Sequence, residues 1–132
     1  MIDTHSHIYA EEFDSDRSEA LKRAREAGVE ALLLPDIDSE SRGRMFDLAA
    51  AEMGYCLPMV GLHPTSVNDN PRWRDELDMV ERLLREPPMR LCGVGEIGLD
   101  LYWSKEFYRE QREVLHAQLE LSLEYDLPVV IH

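Results

Sequence analysis

Short apolar runs alternate with amphipathic stretches along the chain, a pattern that predicts strands joined by helices. Five runs rich in Val, Leu, Ile or Met, at residues 2–7, 30–34, 55–62, 90–97 and 128–132, have the length and composition of buried strands. Four helical stretches separate them. The first starts around Asp14 to Asp16, with Asp16 and Glu19 at capping-box spacing, keeps Ala20, Leu21, Ala24 and Ala27 on one face, and stops at Gly28. The second starts at Ser39 or Ser41, carries Met45, Leu48, Ala49 and Met53, and ends at Gly54. The third opens at Pro71, runs through Leu77, Val80 and Leu84, and is broken by Pro87-Pro88. Ser104 is the expected cap of the fourth, in which Phe107, Val114, Ala117 and Leu121 recur at helical spacing up to Leu127-Pro128.

Strands joined by helices of this length pack as parallel βαβ units, which leaves an open doubly wound sheet or a (β/α)8 barrel. His5, His7, His63, Glu96 and His132 all fall at the C-terminal ends of different strand runs, where a barrel gathers its functional side chains. The fold expected is therefore α/β, the N-terminal portion, five β-strands and four helices, of a (β/α)8 TIM-type barrel. No linker divides residues 1–132, which read as a single domain. A closed barrel takes about 250 residues, so the chain reads as an incomplete barrel. The exposed edges of its first and fifth strands would invite pairing, and a homodimer is a natural expectation.

The opening Asp3-Thr4-His5-Ser6-His7 sets two imidazoles two positions apart. In extended chain, residues i and i+2 project from the same face, and two co-directed neutral imidazoles suit a transition metal. Glu96 is delivered between Gly95 and Gly98 at the end of an apolar run, and His132 ends another. His5, His7, Glu96 and His132 are thus the candidate ligands, with Glu96 also the catalytic candidate. Nitrogen and carboxylate donors accept Zn, Mn, Fe, Ni or Mg. Asp3 is a candidate for orienting a ring or meeting backbone donors. His63, ahead of Pro64, could donate to a phosphate, shuttle a proton or serve its loop, and is the substrate-binding candidate. Asp100 reads as a turn residue, and His116 as a mid-helix surface residue. Gln111 and Gln118 share a helix face and read as structural, on a helix exterior. Trp73 and Trp103 read as packing or rim aromatics; Trp103, after the Glu96 loop, could stack on a base. Glu11-Glu12 and Asp75-Glu76 read as solvated faces.

Composition narrows the setting. With 44% apolar residues the chain can bury a core, and its 14 Lys and Arg against 27 Asp and Glu give a net charge of −13. A broad basic nucleic-acid face is excluded, so cationic help for an anionic substrate would have to come from bound metal. Cys56 and Cys92 sit in apolar runs and read as free thiols. No leader segment or membrane-length apolar run is present, so a cytoplasmic protein without membrane association is expected.

Taken together, Asp3-Thr-His-Ser-His7, Gly61-Leu-His-Pro64, Gly95-Glu-Ile-Gly-Leu-Asp100, Gln111 with Gln118, and Leu127-Pro-Val-Val-Ile-His132 resemble the TatD-type deoxyribonucleases over the whole chain. The resemblance implies a barrel of the amidohydrolase type and a centre of two divalent metal ions (Zn, Mg or Mn). It also implies hydrolysis of DNA phosphodiesters, often as an exonuclease, with metal roles for His5, His7, Glu96 and His132. Glu96 would bridge two ions, with His5 and His7 on one and His132 on the other. Two further ligands of the family pattern, a later histidine and aspartate, have no counterpart among these residues, and Thr65 stands where many relatives have a second histidine. Two rival readings follow: a metal-dependent hydrolase of a small amide, ester or phosphoester, and a non-catalytic truncated fragment.

Overall fold

The computed structural model describes residues 1–132. Its five strands are β1 (Ile2–Asp3), β2 (Ala31–Leu34), β3 (Cys56–Pro58), β4 (Val94–Ile97) and β5 (Val129–Ile131). Four helices alternate with them, α1 (Arg17–Glu26), α2 (Ser39–Ala51), α3 (Trp73–Arg85) and α4 (Tyr108–Glu124), with single 3₁₀ turns at Glu11–Phe13 and Pro64–Ser66. Every pairing is parallel: β1 with β2, β2 with β3, and β4 with β5. Backbone bonds carry the ladder across from β3 to β4, with Cys92 N–H donating to Pro58 O and Gly95 N–H to Val60 O. Strand neighbours therefore follow chain order throughout. A doubly wound sheet reverses its strand order at a switch point, whereas an uninterrupted parallel succession is the wall of a barrel.

The strands are shorter than the apolar runs suggest. Pro58 brings no N–H to the ladder, and β3 stops there, leaving Val60 to make an isolated bridge to Val94. β1 stops at Asp3, so His5 and His7 stand in the segment beyond the strand rather than on it, although Ser6 N–H still bonds Leu33 O at 3.0 Å.

Helix α2 opens at Ser39, as expected, but the helix caps differ from the sequence reading. Asp16 precedes α1 without a side-chain cap bond, and the expected capping box is not made. The cap of α2 is Asp38, whose carboxylate accepts from Glu40 N–H and Ser41 N–H. Glu76 reaches across from α3 to accept from Ser39 N–H and Oγ–H, so it belongs to this cap and not to a solvated face. Helix α4 begins four residues after Ser104, whose hydroxyl accepts from Glu106 N–H. Met53 lies beyond the end of α2 and is exposed.

One apolar cluster gathers Ile8, Tyr9, Leu21, Leu32, Leu34, Met45 and Cys56; a larger one runs from Val60 and Leu62 through Trp73, Val80 and Val94 to Val114 and Leu121. Phe46 packs against both. Both cysteines are free, and no helix is long and apolar enough to cross a membrane.

Candidate metal centre at the strand ends

Four separate strand ends deliver one constellation. Glu96, the third residue of β4 and only 4% exposed, lies at its middle. Its Oε2 lies 2.9 Å from His5 Nε2 and 3.1 Å from His7 Nε2. Its Oε1 lies 2.5 Å from His132 Nδ1 and 3.5 Å from His63 Nε2. One carboxylate thus faces two histidine pairs, one through each oxygen. Within each pair the nitrogens are 3.2 Å apart.

Hydrogen bonds around the rim fix what each ring offers. Tyr9 O–H donates to Pro35 O at 2.6 Å, so its only proton is committed, and its oxygen 3.0 Å from His7 Nδ1 must accept. That places the His7 proton on Nδ1 and turns a lone pair on Nε2 toward Glu96. His63 is wired the opposite way. Thr65 N–H donates to His63 Nδ1 at 3.1 Å, so in the neutral ring the proton sits on Nε2, which points toward Glu96 and His132. Burial, outweighing the nearby Glu96, pushes His63 below the usual histidine value and keeps it neutral.

His132 lies between two acids, with Nε2 2.9 Å from Asp100 Oδ2 and Nδ1 against Glu96. Burial alone would lower its pKa, but the hydrogen bonds to Glu96 and Asp100 prevail and raise it. For Glu96 burial works to raise the pKa, and the His132 bond with the charges of His63 and His5 prevails and lowers it. Asp100 is held low by Tyr102 N–H and by His132. It is a turn residue, as expected, and also the partner of a candidate ligand. Asp3 meets a backbone donor, its Oδ1 accepting from His5 N–H at 3.1 Å.

The donor set fits a divalent cation. Two nitrogens bound to one tetrahedral zinc at about 2.0–2.1 Å each would sit about 3.3 Å apart, close to the 3.2 Å between His5 Nε2 and His7 Nε2. Asp100 on the far nitrogen of His132 also forms the carboxylate–histidine arrangement typical of metal sites. The donors fall into two groups, His5, His7 and Glu96, and His63, Glu96 and His132, each with its atoms within 4.8 Å of one another.

Backbone and buried polar groups hold the loops that carry these residues. Gln118, fully buried on the inner face of α4, accepts from Leu62 N–H at 2.7 Å and donates to Leu62 O at 3.2 Å, fixing the residue before His63. Gln111, about two turns earlier on the same helix, accepts from Asp100 N–H and donates to Asp100 O and Asn68 Oδ1. Both glutamines are structural, but they face inward and brace the centre; the exterior position expected for them is wrong. Asp36, at the end of β2, is fully buried against Arg42, with Oδ2 2.6 Å from Nε, and also accepts from Gly61 N–H. Its backbone bonds both Gly95 O and Glu96 N–H, setting the strand end that carries Glu96. Gly61 lies so close to this strand that a Cβ there would stand 2.8 Å from Gly95 C. His116 is exposed on α4, apart from the centre, and Trp73 is buried in the core.

Sequence reasoning missed Tyr9 and Asp36. Tyr9 continues the alternation of His5 and His7 by one more step, and Asp36 is an acid at the end of a strand, as Glu96 is. Both signals were available.

A parallel barrel wall with a histidine–glutamate cluster at its C-terminal rim defines a metallohydrolase-like (β/α)8 protein. Residues 2–132 match the family described as TatD related DNase, and the chain belongs to that family. A relative in Escherichia coli, "Uncharacterized metal-dependent hydrolase YjjV", is 36% identical over the whole chain and half its own length. The "3'-5' ssDNA/RNA exonuclease TatD" of Pantoea vagans is 32% identical, with 49% of it covered. Among solved structures, the YjjV protein of Escherichia coli superposes with a TM-score of 0.87 at 32% identity, over 100% of this chain and 50% of the other. A TatD family hydrolase of Entamoeba histolytica, at 18% identity and TM-score 0.80 over 49% of its length, shares the fold. The chain spans about half the length of the curated relatives it matches, and its five strands are the N-terminal portion of the family's barrel.

Proposed function

We propose that this centre holds two divalent cations and hydrolyses phosphodiester bonds of single-stranded nucleic acid. The observation that carries the reading is the division of Glu96, Oε2 toward His5 and His7 and Oε1 toward His132, so that His5, His7 and Glu96 would hold one cation and Glu96 with His132 a second. The names of the relatives, a metal-dependent hydrolase and an exonuclease, support the same chemistry.

Bound ions would supply positive charge against the phosphoryl oxygens and acidify a water. The chain's own residues do the rest. His7, its proton held by Tyr9, presents a lone pair; Asp100 orients His132; and His63, neutral with Nε2–H directed inward, is placed to donate to a phosphoryl oxygen of the substrate. His63 thus serves substrate better than metal, because its free nitrogen carries the proton. The 132 residues act in this reading as one folding unit. The net charge of −13 favours the rival reading, a small ester or amide as substrate.

The test is turnover of a labelled single-stranded oligonucleotide and of a panel of small esters under Mg, Mn and Zn, for the chain and for Glu96→Gln. The expected result is metal-dependent cleavage of the oligonucleotide that falls about 100-fold or more in the variant. Equal turnover by the variant, or cleavage of small esters alone, contradicts the proposal.

A further inference from the structure

Two large aromatic side chains stand in solvent beside the centre without a structural task. Tyr102 is 84% exposed and Trp103 74%, whereas Trp73, the only other tryptophan, is 5% exposed. Their rings meet edge to face, centroids 4.8 Å apart at 89°, leaving open ring face on both. The segment that carries them is anchored. Tyr102 N–H donates to Asp100 Oδ1 at 3.0 Å, the other carboxylate oxygen of Asp100 meets His132 Nε2 at 2.9 Å, and Gln111 holds the Asp100 backbone from both sides. Trp103 lies three residues from Asp100, so their Cα atoms are at most about 11 Å apart. Residues 101–112 also carry Lys105, Arg109 and Arg112 against Glu106 and Glu110, a positive balance within a strongly acidic chain.

We propose that Tyr102 and Trp103 form a base-stacking subsite for single-stranded nucleic acid, seating a nucleobase next to the phosphodiester presented to the centre. The inference rests on the substrate class proposed above and adds the residues that select it. A base offers a flat π-face whatever its identity, so stacking holds a strand without reading its sequence. It also gives an acidic protein a grip on a polyanion that does not depend on a basic surface. Because the two rings are perpendicular, one base cannot lie flat on both. The larger indole face of Trp103 takes the base, and Tyr102 buttresses it.

The experiment is titration of the chain, with divalent ions removed by EDTA, against an oligothymidylate and against an abasic oligomer with the same phosphates. Tryptophan emission and the anisotropy of a labelled strand are followed together. The expected result is saturable quenching of the exposed indole by the oligothymidylate and not by the abasic strand, with the emission of buried Trp73 unchanged as a check on the fold. In Trp103→Ala the affinity falls about tenfold, and Trp103→Phe recovers most of it. Strand binding without quenching, equal affinity in Trp103→Ala, or no binding at all overturns the subsite. Glu96→Gln separates the two proposals: it keeps the quenching and loses turnover if both hold, and if it turns over like the parent while quenching persists, the metal reading fails and the subsite stands.

Discussion

Two histidines of the centre are chemically identical and are assigned opposite tasks by one hydrogen bond each. Tyr9 accepts from His7 Nδ1 and so frees Nε2; Thr65 donates to His63 Nδ1 and so protonates Nε2. Replacing Tyr9 by Phe removes the acceptor, lets His7 adopt the other tautomer, and should lower metal affinity about 10- to 100-fold with the fold retained. Metal titration calorimetry beside circular dichroism measures both, and unchanged affinity would show that Tyr9 does not govern the ring. At Asp36, burial outweighs the Arg42 guanidinium and pushes the carboxyl from 3.8 up to about 7. The folded state then holds a proton that the unfolded chain has released. Folding takes up that proton between the two values, so this group makes the fold less stable as pH rises from 3.8 to about 7. Carbon NMR of the Asp36 carboxyl should show a midpoint near the upper value; a midpoint in the ordinary aspartate range would mean the ion pair prevails over burial.

At the scale of elements, strand ends and loops position the chemistry, and the sequence predicts them unevenly. The two helices nearest Glu96 and His132 in the chain can be placed from apolar spacing alone, because Val114 and Leu121 on α4 and Val80 and Leu84 on α3 repeat with the helical period. The same spacing misjudged Gln111 and Gln118, since polar residues on a buried stripe look like solvent positions until the backbone groups they satisfy are seen. The apolar runs are longer than β1, β3 and β4, because an apolar run does not show where ladder bonds stop. The close approach of Gly61 to Gly95 is also invisible in sequence, as it joins two strand ends 34 residues apart in number only through the fold. Gly61→Ala forces a methyl against backbone that cannot swing away, and should destabilise the chain by about 1–3 kcal/mol. Urea unfolding followed at Trp73 measures it, and a loss well under that range would mean β3 and β4 separate at little cost.

At the scale of the molecule, a five-stranded wall presents a rim that carries the centre and two strand edges, at β1 and β5, that make no ladder bonds on their outer sides. Ile2 at one edge and Ile131 at the other are more than half exposed. The homodimer expected from these edges remains a proposal, consistent with their exposure. The whole-molecule charge of −13 and the compact set of donors belong together, since cations held at the rim would supply the positive field that the surface lacks. The central claim is therefore that His5, His7, Glu96 and His132 hold metal, and elemental analysis of the purified chain after dialysis against zinc or manganese tests it most directly, alongside Glu96→Ala. Stoichiometric metal in the chain and its loss in the variant are the expected result. Metal retained equally by Glu96→Ala, or absent from both, would contradict it.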